Sequence, residues 1–191
     1  MSVLEVVRRI HVYNQWADEQ MLQAMDGLAN EDLAREAPVA FGSLRGSLWH
    51  HLGAQLGWLG ICAGYDTWSK LNVSDSSSVG GLRELFDGSH RMWREFTESL
   101  SEEGVLAPAE LPIDEPFRQS AGAELVAWAD EHGHRPRRPL WQSMLHVVNH
   151  STQHRAEAGM YLQTLGRSPG DLDYGTFEEY RAIGRNVAGW G

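Results

Sequence analysis

Three histidines recur at intervals of four residues in the last third of the sequence: His146, His150 and His154. Residues four apart on an α-helix stand one turn above each other on the same face. Two neighbouring imidazoles in such a row can therefore direct ring nitrogens to one point, which is what a transition-metal ion requires. No glutamate lies between them, so the His-Glu-x-x-His pattern of zinc proteases is absent.

A metal centre needs a third ligand from another element, and the adjacent residues His50 and His51 are the obvious suppliers. On a helical wheel His51 lies nearer the middle of the apolar arc and His50 lies toward its edge, so periodicity leaves the choice open. The sequence has nine histidines. We expect the remaining ones to be solvated: His11, His90, His132 and His134.

The elements that must position these histidines can be read from the apolar spacing. Residues 2–28, 43–63, 82–100 and 140–165 have the three-and-four spacing of amphipathic helices, with Trp16, Trp58 and Trp93 as core residues. Residues 65–81 predict a surface loop, 124–134 a small β-hairpin within a proline-broken stretch, and 177–186 a short helix. The fold class predicted is all-α, an antiparallel four-helix bundle whose long last crossover holds the hairpin.

Composition excludes several classes of protein. The 16 Lys and Arg against 26 Asp and Glu give a formal charge of −10, which disfavours nucleic acid as a partner. The most basic run, residues 135–138, is short and broken by proline, so we expect a solvated turn. No run of about 20 apolar residues predicts a membrane span. The single cysteine, Cys62, has apolar neighbours and predicts packing, and the absence of a disulfide or secretory signal indicates a cytoplasmic protein.

Three stretches together resemble a known family. They are 13–17 (YNQWA), 41–50 (FGSLRGSLWH) and 146–155 (HVVNHSTQHR). They are similar to the helix-one, helix-two and helix-four motifs of the DinB-like (DinB/YfiT) superfamily of metal-binding four-helix-bundle proteins. The resemblance implies one DinB-like domain over residues 1–191, an up-down-down-up bundle and a homodimer. It also implies a divalent metal held by His50, His150 and His154, with His146 one turn outside the ligand pair.

Three neutral imidazoles suit Zn or Ni first, with Fe, Mn or Cu as alternatives, and leave a coordination position open. The resemblance implies a small-molecule substrate and either thiol-dependent S-transfer or hydrolysis. We favour a metal-dependent S-transferase with a low-molecular-weight thiol as co-substrate, because the sequence offers no general base beside the ligands. A metal-dependent hydrolase, a non-catalytic metal-binding stress-response module and a helical interaction protein are the alternatives.

Several polar residues are candidates for supporting this site. Gln55 or Asp18 could accept a hydrogen bond from a ligand, and Asn149 and Gln153 could orient imidazoles or substrate. Arg155 fits either an anionic substrate or a surface ion pair. Glu157 adds a carboxylate to the same predicted helix, and the sequence assigns it no role.

Overall fold

The computed structural model of the protein describes residues 1–70 and 77–185. Within them the α-helices are α1 (Val3–Ala24), α2 (Asn30–Ala34), α3 (Leu44–Ala63), α4 (Val79–Ser99), α5 (Glu102–Leu106), α6 (Glu115–Ser120), α7 (Ala123–His132), α8 (Leu140–Thr164) and α9 (Tyr174–Ala182). Short 3₁₀ turns lie at Ala40–Gly42 and Trp68–Lys70. Two strands, β1 (Pro108–Ala109) and β2 (Arg138–Pro139), pair antiparallel.

The four long helices α1, α3, α4 and α8 form an all-α bundle, as the sequence predicted. α1 and α3 each pack against both α4 and α8. The relative direction of two helices follows from two contacts at different heights along them. The contacts are Arg8–Thr97 and Asp18–His90 for α1 and α4, Asp18–Arg155 and Asp26–Arg167 for α1 and α8, and His50–His154 and Trp58–His146 for α3 and α8. α1 is therefore antiparallel to α4 and parallel to α8, and α3 is antiparallel to α8. This is the up-down-down-up order that the resemblance implies.

The bundle encloses an apolar core built from the residues at helical spacing. Its fully buried members come from all four long helices: Met21, Leu22, Leu44, Leu52, Leu56, Leu59, Leu82, Phe86, Trp93, Met144 and Leu162. Trp58 packs against this core from a half-buried position. A second cluster joins Tyr13 and Trp16 of α1 to Phe177, so α9 closes the outer side of α1.

The β-hairpin predicted at 124–134 is wrong, because Ala123–His132 forms α7. Ala, Glu and Leu dominate its first turns and favour helix, and Gly133 ends it in the left-handed region at φ +72°. The two-residue strands lie at the ends of the crossover instead and close it against α8. The crossover is thus a loop that carries α6 and α7 and is closed at its two ends by the pairing of β1 with β2.

The remaining elements follow the sequence with shifted limits. Residues 71–76 of the predicted loop lie outside the described residues, and Ser78 caps α4 by accepting a hydrogen bond from Gly81 N. The predicted helix at 177–186 begins earlier, at Tyr174, where the Asp173 side chain caps it, and it ends at Ala182. Over the described ranges, no helix has both the length and the apolar character to cross a bilayer.

Candidate metal centre

His50 of α3 and His150 and His154 of α8 meet in one cluster. One ring nitrogen from each of these residues lies within 4.8 Å of the other two. The Nε2 atoms of His150 and His154 are 3.3 Å apart. Two ligands of a tetrahedral Zn²⁺ with Zn–N bonds of about 2.0–2.1 Å are separated by about 3.3–3.4 Å. The three residues therefore fit a transition-metal ion in donor type, and the His150–His154 pair also fits it in spacing.

The cluster favours neutral imidazoles. Burial lowers the pKa of His150 to about 4, and the neighbouring rings of His154 and His50 add to the effect. Burial also lowers the pKa of His50, with a further contribution from His154. Because the neutral ring carries the lone pair that binds metal, these side chains are poised as ligands near neutral pH.

The turn before α3 accounts for the residue types in the string FGSLRGS at residues 41–47. Phe41 and Gly42 both lie in the left-handed region, at φ 63° and 73°. Ser43 then caps α3 by accepting a hydrogen bond of 3.0 Å from Gly46 N. A Cβ at Gly46 would lie 2.5 Å from the carbonyl oxygen of Phe41, so only glycine fits there. The turn starts α3 a short distance before His50.

The same turn supplies an aromatic cover for the cluster. The ring of Phe41 stacks on the ring of His50 with centroids 3.9 Å apart and 20° between the planes. Its centroid is also 6.0 Å from that of His154. Phe41 remains 56% exposed, so the ring lies between the cluster and solvent. A non-glycine residue at positive φ is uncommon and costs about 1 kcal/mol or more, so this placement is imposed by its surroundings.

Glu157, to which the sequence assigned no role, lies against a candidate ligand. Its Oε2 is 3.3 Å from Nδ1 of His154, an electrostatic contact on the far side of the ring from His150. Gln153 is exposed and donates a 3.4 Å hydrogen bond to the other oxygen of Glu157. In metal sites a carboxylate beside the non-ligating nitrogen orients the ring, and Glu157 stands at that place. The spacing of three residues after His154 was the available signal.

His51 occupies a different environment from His50. It is 1% exposed and its Nε2 lies 2.9 Å from Nε2 of Gln55, whose amide also donates 2.8 Å to Asp18. Burial lowers the pKa of His51 to about 3. The choice left open by the helical wheel thus resolves to His50 for the cluster, and His51 belongs to the bundle interior together with Gln55 and Asp18.

Arg155 is placed in that interior as well. It is 2% exposed and donates 2.7 Å hydrogen bonds to Asn14 and Asp18. Burial alone would raise the pKa of Asp18, but His51 and Arg155 outweigh it and hold the pKa below its usual range. Arg155 is therefore a core ion-pair partner that joins α8 to α1. It forms neither of the two contacts expected from the sequence, a surface ion pair or a contact with an anionic substrate.

The other sequence candidates divide between interior and surface. The prediction of solvated side chains is wrong for His11 and His90, which are 8% and 4% exposed because α1 and α4 pack together there. It is confirmed for His132 and His134, which are exposed. Asn149 is exposed on α8. Cys62 is half-buried, and burial raises its pKa to about 12, which suits packing rather than nucleophilic chemistry.

An up-down-down-up bundle in which three histidines converge from the second and fourth long helices defines a class of helical proteins with a candidate metal centre between those helices. Within that class the chain belongs to the DinB family, whose family model matches residues 1–137 and 134–186. It is similar to Protein DinB of Bacillus subtilis (strain 168), with 23% identity over 173 residues, covering 88% of this chain and 91% of that protein.

Proposed function

We propose that this DinB-family protein binds a divalent metal ion through His50, His150 and His154 and acts as a metal-dependent thiol S-transferase. The observation that carries the proposal is the convergence of three ring nitrogens within 4.8 Å. Zn and Ni are the first candidates because both accept imidazole ligands in low coordination numbers. Three protein ligands leave at least one position for an exogenous ligand.

A divalent ion held by these ligands would supply the positive charge that keeps a bound thiol deprotonated near neutral pH. In the transfer step the thiolate sulfur forms a bond to an electrophilic carbon, the bond from that carbon to its leaving group breaks, and the leaving group departs with the electron pair. The thiol proton passes to solvent. Atoms and electrons balance without an oxidant or reductant.

The protein's own residues orient this step. Glu157 faces the Nδ1 side of His154, where its charge would favour the ring orientation that turns Nε2 toward His150. Phe41 lies over the ring of His50 and shields that face of the cluster from water. Because the Glu157 carboxylate contacts His154, we assign it to positioning rather than to general-base catalysis. This favours a thiol as the nucleophile over an activated water, since a metal-bound thiol needs no added base.

Elemental analysis of the untagged protein tests metal binding first. We expect about one ion per chain after loading with Zn²⁺ or Ni²⁺, with affinity lost in His50→Ala and in His154→Ala. His132→Ala, which removes an exposed histidine of α7, is the matched control and should retain the ion. Absence of stoichiometric metal in the loaded parent protein would overturn the metal function.

A panel of low-molecular-weight thiols with an activated aryl chloride tests S-transfer. The proposal predicts metal-dependent chloride release and a thioether product that require His50 and His154. Hydrolysis of an ester panel without thiol consumption would instead indicate a metal-dependent hydrolase.

A non-catalytic role is the second candidate, because the ligands join α3 to α8 and a bound ion would then stabilise the bundle. Metal-dependent stability without turnover would indicate that role. Homodimerisation stays a prediction of the resemblance.

A further inference from the structure

Two arginines of the crossover lie against the ring of Trp58, which in turn contacts the histidine row of α8. The guanidinium carbons of Arg135 and Arg138 are 5.9 and 5.4 Å from the centre of the Trp58 ring. Arg135 also lies 4.2 Å from the ring centre of Phe117. Both arginines are half-buried, so the expected solvated turn is wrong for them. Aromatic contacts of this kind hold a guanidinium in place while leaving its N–H groups free to bind.

Neither guanidinium has a carboxylate partner within 4 Å among the described residues, although the protein carries a formal charge of −10. Arg138 donates from Nε to Ser143 Oγ at 3.1 Å, which orients its terminal nitrogens. Asp114 acts on Arg135 electrostatically, but its side chain is committed to capping α6 at Phe117 N. Two positioned cations, with one carboxylate, Asp114, acting on Arg135 from a distance, form an anion-binding arrangement.

The arginine pair lies beside the histidine row of α8. The Trp58 ring that both arginines contact meets the ring of His146 with centroids 4.8 Å apart. His146 in turn lies 5.9 Å from His150, a member of the candidate metal centre. Burial, followed by the charges of Arg138 and Arg135, lowers the pKa of His146, so both guanidinium groups act on this part of α8. The rings of Trp58 and His146 thus connect the arginines to the cluster in steps of 4.8 and 5.9 Å between ring centres, so a molecule that contacts both must be several bonds long.

We infer that Arg135 and Arg138 form an anion subsite that selects thiols or substrates bearing a carboxylate or phosphate group, bound with their reactive end at the His50, His150 and His154 cluster. This inference rests on the proposed metal function for the reactive end. The anion would receive N–H donors from both guanidinium groups, and the rings of Trp58 and His146 lie between the arginines and the cluster. No bond is made or broken in the subsite.

The test compares thiols of equal reach and different charge on the full-length protein loaded with Co²⁺, whose thiolate absorption band reports thiol binding. 8-Mercaptooctanoate is anionic, 8-mercaptooctanol is neutral and 8-aminooctanethiol is cationic, and all three carry the terminal oxygen or nitrogen eight carbons from sulfur. We expect 8-mercaptooctanoate to bind roughly tenfold more tightly than 8-mercaptooctanol, equivalent to about 1.4 kcal/mol. Arg135→Gln/Arg138→Gln should abolish that preference, and Arg135→Lys/Arg138→Lys should restore part of it. Arg137→Gln, which removes an exposed charge from the same turn, is the matched control and should keep it.

A second measurement separates this inference from the metal function. Inorganic phosphate is titrated into metal-free protein while the indole resonance of Trp58 is followed by NMR. Saturable shifts that disappear in Arg135→Gln/Arg138→Gln support the subsite even when no thiol binds cobalt, an outcome that would overturn thiol activation alone. Equal affinity for the three thiols, or an unchanged indole resonance with phosphate, would overturn the subsite and leave the metal centre standing.

Discussion

The rings of Phe41 and His50 are stacked 3.9 Å apart, although they belong to different elements and Phe41 has a positive φ of 63°. The 3₁₀ turn at Ala40–Gly42 holds Phe41 in that position, and Gly46 leaves room for the carbonyl of Phe41. The start of α3 and the cover of the candidate metal centre are therefore one structural unit. A substitution that shifts the turn should therefore change the packing of Phe41 on His50.

Gly46→Ala tests this coupling. The added Cβ would lie 2.5 Å from the carbonyl oxygen of Phe41, so the turn must shift and carry the Phe41 ring away from His50. We expect a loss of roughly 1–3 kcal/mol in the free energy of unfolding, typical of overpacking. We also expect weaker Zn²⁺ affinity, measured by competition with a chromophoric chelator.

The matched control is Gly57→Ala in the same helix. A Cβ at Gly57 meets nothing within 4 Å, so alanine should leave Zn²⁺ affinity unchanged and raise stability by up to about 1 kcal/mol through helix propensity. Equal effects of the two substitutions on Zn²⁺ affinity would contradict the coupling between the turn and His50.

Glu157→Gln should weaken metal binding without unfolding the protein. The substitution keeps the size of the side chain but removes the negative charge 3.3 Å from Nδ1 of His154. We expect Zn²⁺ affinity to fall roughly tenfold, the lower end of the range for residues that orient ligands. Isothermal titration calorimetry measures the change, and Glu95→Gln, an exposed position on α4, serves as the control. An unchanged affinity would mean that the contact does not tune His154.

Arg155→Met should be strongly destabilising because it leaves Asp18 buried without its guanidinium partner. Breaking a buried pair from one side costs about 3–5 kcal/mol, measurable by urea unfolding. The double variant Asp18→Asn/Arg155→Met should lose less than the sum of the two single substitutions, since it removes both charges. Arg118→Met, in the exposed pair with Asp130, should change stability little. Strict additivity at Asp18 and Arg155 would argue against coupling between them.

The sequence predicted the features that depend on local periodicity. Apolar spacing located the four long helices, and the spacing of His150 and His154 placed two candidate ligands on one face. The choice of His50 over His51 needed the family resemblance, because the helical wheel places both near the apolar arc of α3. Only the tertiary arrangement shows that His51 meets Asp18 while His50 meets His150.

The features that the sequence did not predict arise from contacts between distant residues. Arg155 looks like a surface residue in a polar stretch, and it becomes a core residue because Asp18 lies on the parallel helix 137 positions earlier. His11 is buried because Trp93 of α4 stacks on it at 4.5 Å. In the segment mispredicted as a hairpin, α-helix propensity and the left-handed Gly133 outweighed the short apolar run.

His11 makes the stability of the metal-free protein depend on pH. Burial, together with the neighbouring His90, lowers the pKa of His11 from 6.5 to about 3, against an opposing hydrogen bond to the backbone of Met144. Below about pH 6.5, His11 therefore binds a proton in the unfolded chain but stays neutral in the folded protein. The contribution of His11 is fully present above that pH and is lost progressively as the pH falls toward 3.

For this shift the free energy of unfolding should be about 2 kcal/mol lower at about pH 5 than at about pH 8 on account of His11 alone. His11→Phe keeps a ring against Trp93 and removes the titration, so its pH dependence should be smaller than that of the parent by that amount. Urea unfolding in the presence of a chelator at the two pH values measures both proteins. His132→Phe, at an exposed position, controls for the loss of an imidazole. If His11→Phe and the parent lose stability in parallel, His11 is not the group that the folded protein keeps neutral, and the acid sensitivity must come from the other buried histidines.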